Sequence, residues 1–155
     1  MDALNTGTGL LQQQPTNYRR IILLLSQSYD SGSKTRFEDL SRRLVESGIT
    51  IYSLAFSSEV MIGASQRTKS TKRAPAELAM LSGGEEIQFH DENDLERGLT
   101  LVSDDISKGY GLSFYPSSHD VGLHTIAVSV VNSTEPFAGC DTRTTYWSGG
   151  SKESQ

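Results

Sequence analysis

The loop Gln27-Ser28-Tyr29-Asp30-Ser31-Gly32-Ser33-Lys34-Thr35 holds the densest run of residue types in this chain that can do chemistry. Asp30, Gly32 and its serines mark it as a turn rather than a core segment. Its ending, Gly32-Ser33-Lys34-Thr35, partly matches a phosphate-cradling loop. That chemistry needs two glycines framing the turn and a lysine directly after the second; Ser28 and Ser33 break both requirements. The reading taken here is a capped helix start. His119, Asp120 and His124 lie across a turn without helical spacing, and no cysteine joins them, so exposed turn residues are expected rather than a zinc set. His90-Asp91-Glu92 stands at a strand-to-helix junction, where Asp91 or Asn93 serves as the cap. Acid–base work there would need a nucleophile, and the chain carries no Gly-x-Ser-x-Gly elbow. Asn132-Ser133-Thr134 matches a glycosylation acceptor by three residues alone. No catalytic set and no cofactor are expected.

The elements that must position the loop are legible around it. Ile21 to Leu25 are apolar without alternation, as in a parallel strand covered on both faces. Phe37, Leu40 and Leu44 repeat at helical spacing. Thr35 with Glu38 predicts a capping box, and Gly48 stands where a left-handed residue ends a helix. Glu38–Arg42 and Asp39–Arg43 are acid-before-base pairs four apart. Ile49 to Phe56 returns as a second apolar strand, which completes a βαβ unit.

Before this unit, Met1 to Gln14 predicts a helix with Leu4 and Leu11 on one face, closed by Pro15. After it, residues 57–74 form a long polar loop. A short helix from Pro75 to Leu81, closed by Gly83-Gly84, leads to a strand over Glu85 to His90. A longer helix then carries Leu95, Leu99, Val102 and Ile106 on one face. Beyond Lys108 the texture changes. Tyr110–Tyr115, Leu123–Val131 and Thr142–Trp147 predict three strands of an antiparallel meander beside the sheet. The expected fold is therefore α/β: a partial, doubly wound, Rossmann-like parallel sheet with helices over 1–108, an antiparallel β extension over 109–147, and a disordered tail over 148–155.

At 155 residues the chain fits one domain. Its formal charge of −5 argues against a nucleic-acid partner. The cluster Arg67, Lys69, Lys72 and Arg73 reads as a solvated loop. Cys140 is the only cysteine, so no intrachain disulfide can form. The longest apolar run is far too short for a membrane span, and no export signal opens the chain.

Several segments in order carry a family likeness: IILLLSQSYDSGSK, SGITIYSLAF, LSGGEEIQF and KGYGLSFYP…GLHTIAVSV…YW. Together, over roughly residues 1 to 147, they resemble von Willebrand factor type A domains, nearest to a bacterial subgroup described from acidobacteria. The resemblance implies a protein-binding domain, in relatives that are often exported. It also implies a divalent metal at the top of the sheet, held by an Asp-x-Ser-x-Ser loop, a threonine and an aspartate from a third loop. The chain has no Asp-x-Ser-x-Ser, and its opening looks like the helix after the threonine loop of longer relatives. Gln27 holds the place of the third-loop aspartate, Ser28 that of a glycine, and Asp30 matches a loop-structuring aspartate. A neutral amide is a poor substitute for a charged ligand, so no metal site is expected.

The implied sheet order, similar to 3-2-1-4-5-6, would leave this chain only the last three strands. Its first strand, residues 19–26, would then present a long apolar edge that pairs with another chain, unless the first helix or the meander covers it. The expected function is non-catalytic protein–protein interaction through the loop residues Gln27, Ser28, Asp30, Ser31 and Ser33 and the loop 57–74, at the carboxyl ends of the strands. Self-association through residues 19–26 is expected too. The alternatives are a gene fragment without independent function and a small α/β hydrolase-type enzyme.

Overall fold

The computed structural model describes residues 1–15, 17–27, 30, 32–57, 74–116, 120–129 and 143–148. Among them the order is α1 (Asp2–Gln12), β1 (Ile21–Gln27), α2 (Phe37–Ser47), β2 (Thr50–Phe56), α3 (Ala74–Ser82), β3 (Glu86–Phe89), α4 (Glu92–Lys108), β4 (Gly122–Thr125) and β5 (Thr145–Ser148). β1, β2 and β3 form a parallel sheet in that order, while β4 and β5 form a separate antiparallel pair. The fold is α/β with an antiparallel extension.

Register decides which side chains share a face. Ile22 pairs with Ile51 and Leu24 with Ser53, so these point to the back; Leu23 with Tyr52 and Leu25 with Leu54 point to the front. On the back, Ile51 packs with Leu4 of α1, Leu40 and Leu44 of α2, and Leu78 and Ala79 of α3. The amphipathic stripe of α2 closes this core, with Leu40 and Leu44 fully buried. On the front, α4 is the one described helix that covers the sheet. Tyr52, Leu54, Phe89 and Val102 form a second, smaller core, joined by Ile21, Ile87 and Leu95. Helix and sheet meet closely here because Gly98 presents no side chain: a Cβ would lie 3.0 Å from Leu54 Cδ2.

Helix ends follow local chemistry in part. Gly48 ends α2 in the left-handed region at φ +67° and donates its N–H to Leu44 O. Asp91 caps α4, its carboxylate accepting from Asp94 N at 2.9 Å. The capping box of α2 does not form. Its N-cap is Arg36, without a side-chain cap bond, because the Thr35 hydroxyl donates to Asp2 instead. Arg43 likewise leaves Asp39 to bond Asn5 and Gln12 of α1, a tertiary tie that outcompetes a solvated i,i+4 pair. Arg42 takes Asp39 at 3.1 Å.

The extension is smaller than its pattern predicts. Residues 110–115 are not a strand, and the ladder is confined to 122–125 against 145–148, continued by Ile126 N to Thr144 O. The aromatics there pack without pairing: Phe114 meets Tyr146 edge-on at 5.1 Å, while no described strand neighbours its backbone. β5 rests on α2, so the pair lies beside the helices and not on the edge of the main sheet.

Candidate functional site

The loop after β1 is held by the opening of the chain. Asp2 accepts from Lys34 N at 3.1 Å, from Thr35 N at 2.8 Å and from the Thr35 hydroxyl at 2.6 Å. The Thr35 hydroxyl bond leads these effects, and together they pull the Asp2 carboxyl from 3.8 to about 2. Asp30 accepts from the Met1 α-amino group at 2.9 Å and from the Ser33 hydroxyl at 2.8 Å. Burial by itself raises the Asp30 carboxyl, but these two hydrogen bonds outweigh it and hold the group below its usual value. Asp30 and Ser33 are therefore tied to each other and to the Met1 amino group. Gln27 ends β1, exposed and in register with Phe56. Beside it a cleft of about 190 Å³ is lined by Met1, Leu4, Leu24, Ser26, Gln27 and Asp30. Asp30 is the one carboxylate among those residues. Among the described residues no group of three or more His, Cys, Asp or Glu could hold a metal ion. Ser28 and Ser31 lie outside the described residues, as do all of the loop 57–74 but Ser57 and Ala74.

The other residues with chemistry are engaged locally. His90 Nδ1 lies 2.8 Å from Ser57 O, and Asp91 is the cap of α4. His124 Nε2 lies 2.9 Å from Asp120 O, and its ring stacks on Tyr146 at 5.1 Å. The structure does not bring the His90 and His124 sites together. His119, Asn132, Cys140 and the basic cluster 67–73 lie outside the described residues.

The flank of β1 is different in kind. In the sheet of described residues β1 pairs only with β2, so one row of its backbone donors and acceptors has no strand beside it. α1 joins β1 in the core behind the sheet, where Leu4 and Leu11 pack with Ile22 and Leu24. On the front, Leu23 is 47% exposed and Leu25 58%. Neither belongs to the core that α4 closes over Tyr52, Leu54 and Phe89. Asp94, Arg97 and Leu101 of α4 line the groove against β3, which by helical period turns Leu99 and Ile106 toward the β1 side. Both are exposed, as is Phe56 at the end of β2. Exposed apolar side chains thus stand on the front of β1, beside an edge that no described strand pairs with. No helix of the described residues is long and apolar enough to cross a membrane.

Compared with models of known protein families and with curated proteins, the chain matches none.

The residue pattern of β1 reads as a strand covered on both faces, and only the sheet order implied by the family resemblance points to strand 19–26 as an open edge. The pattern misses that Asp2 anchors the loop, because a contact between residues 32 and 33 apart leaves no periodic trace. It also misses which of the five apolar residues of β1 stay uncovered. That depends on where α4 lands.

Proposed function

We propose that this chain is a non-catalytic protein-binding module that takes a strand of a partner polypeptide on the free edge of β1. The observation that carries this reading is the pairing of an open edge with exposed Leu23 and Leu25 on the same strand. Parallel sheets are normally covered on both faces, and main-chain pairing along an edge supplies affinity while alternate side-chain pockets supply specificity. Asp30 and Ser33, held rigid at the carboxyl end of β1, border this surface, and Gln27 leads into it. Binding of this kind needs no metal at Gln27. The likeness to type A domains, which bind protein ligands, agrees with it.

A second copy of the chain is the partner at hand for a test. Size-exclusion chromatography with light scattering, over a range of concentrations, should show dimers or larger species. The double substitution Leu23→Lys with Leu25→Lys should return a monomer with unchanged circular dichroism, since lysines on an edge strand discourage pairing. Magnesium should leave the profile unchanged. A wild-type chain that stays monomeric throughout, with β1 amides that exchange slowly, would sink the edge-binding reading. A magnesium-dependent shift would overturn the metal-free part of it.

A further inference from the structure

Three helices end at the pole of the sheet opposite the Asp30 loop, and each end receives an arginine. Arg20 donates to Ser47 O at the end of α2. Arg19 donates to Ile106 O in the last turn of α4 at 3.0 Å. Arg143 donates to Ser82 O, at the end of α3, at 3.3 Å, and to Ile49 O at 3.2 Å. Carbonyls left unpaired at helix ends, with the negative end of the dipole, explain why cations settle there. They do not use up the donors, because each guanidinium carries five N–H groups. Two of the arginines also crowd one spot. A Cβ on Gly48 would have Arg20 Nη2 and Arg143 Nη1 each at 3.8 Å. Like charges so placed repel, and an anion between or beside them relieves that. Burial lowers the Arg143 guanidinium from its usual value.

A groove of about 410 Å³ opens beside these groups. Arg19 and Arg143 supply its cationic end, and Tyr110, Phe114, Tyr146 and Ile126 supply apolar walls. Thr145 lines the same groove, and its hydroxyl is buried without a hydrogen-bond partner among the described residues. At the mouth, Tyr110 is 93% exposed and Leu112 72%. A mostly apolar hollow with a few convergent polar groups is the usual form of a small-molecule site.

We propose that this groove binds a small monocarboxylate with an aromatic or branched aliphatic body, its carboxylate met by Arg143 and its body by Tyr110, Phe114 and Tyr146. A carboxylate suits the fork of a guanidinium, and Arg143 lines the hollow together with the aromatic side chains. The site lies at the opposite pole from the Asp30 loop and is independent of the reading of the β1 edge.

Phenylacetate and its neutral counterpart phenylacetamide, titrated into the full chain by calorimetry and followed by backbone amide shifts, test the site. Phenylacetate should bind about tenfold or more tightly than the amide, as a charge-assisted pair requires. Shifts should centre on residues 110–114 and 143–146. Arg143→Gln should abolish the preference for the acid. Leu112→Glu places a negative charge at the exposed mouth, should leave the fold intact, and should weaken phenylacetate more than phenylacetamide. It keeps the test decisive if Arg143→Gln does not fold. Equal binding of the two compounds to the wild type, no binding of either at millimolar concentration, shifts centred on β1, or no effect of Leu112→Glu would each overturn the proposal.

Discussion

The two faces of the main sheet are built from the same kind of strand yet end in opposite conditions. Behind the sheet, α1, α2 and α3 lie side by side, and Leu40, Leu44, Ile49, Ile51 and Leu78 are completely buried. In front, one helix covers β2 and β3 and leaves Leu23 and Leu25 of β1 in solvent. Strand composition does not distinguish them: Ile22 and Leu24 point back, and Leu23 and Leu25, of the same character, point forward. The difference lies in the number of helices each face receives. The back face holds the larger buried core, and the front of β1 keeps Leu23 and Leu25 exposed among the described residues.

The contrast can be broken most directly at its two extremes. Leu44→Ala should cost about 2–5 kcal/mol, since a fully buried leucine leaves a cavity that three helices cannot collapse around. Leu25→Ala, on the same sheet but in front, should cost no more than about 0.5 kcal/mol. Urea denaturation of both variants decides the matter. Equal losses would mean that the front of β1 is covered after all.

Tyr52 sharpens the description of the front core. It is fully buried, its hydroxyl donates to the Asp105 carboxylate of α4, and burial first and Asp105 second push it up from 10.0 to about 12. The folded state thus binds this proton more tightly than the unfolded state. The resulting stability is complete below about pH 10 and is lost as pH rises toward 12. Tyr52→Phe should cost about 1 kcal/mol at neutral pH and should flatten the alkaline limb of the stability profile. An unchanged alkaline limb would show that the bond to Asp105 does not secure α4.

The smallest effect belongs to the loop anchor. The Asp2 carboxyl sits at about 2 when folded against 3.8, so its contribution is present above 3.8 and fades as pH falls toward 2. Amide exchange at Lys34 and Thr35 should therefore accelerate across that window. In Asp2→Asn the acceleration should already be present at neutral pH and should not change on acidification. Protection that is independent of Asp2 would mean that the loop orders itself.

The residues by themselves determined much of this protein. Apolar runs over 21–25 and 49–56 around a helical period of Phe37, Leu40 and Leu44 specify a βαβ unit, because each signal is local and repeats at the spacing of its own element. Gly48 and Asp91 mark helix ends for the same reason, each acting within a few residues of itself. The aromatic segment 110–115 misleads, since a strand exists only where a neighbour takes its hydrogen bonds, and none of the described strands runs beside that segment. What only the tertiary structure decided are matters of distance between remote parts. Thr35 and Arg43 abandon their local partners for Asp2, Asn5 and Gln12, and three arginines from distant segments meet three helix ends at one pole. Periodicity reports which face of an element is apolar. Whether that face meets a helix, water or a partner depends on how the other elements pack, and for Leu23 and Leu25 the placement of α4 left it to water.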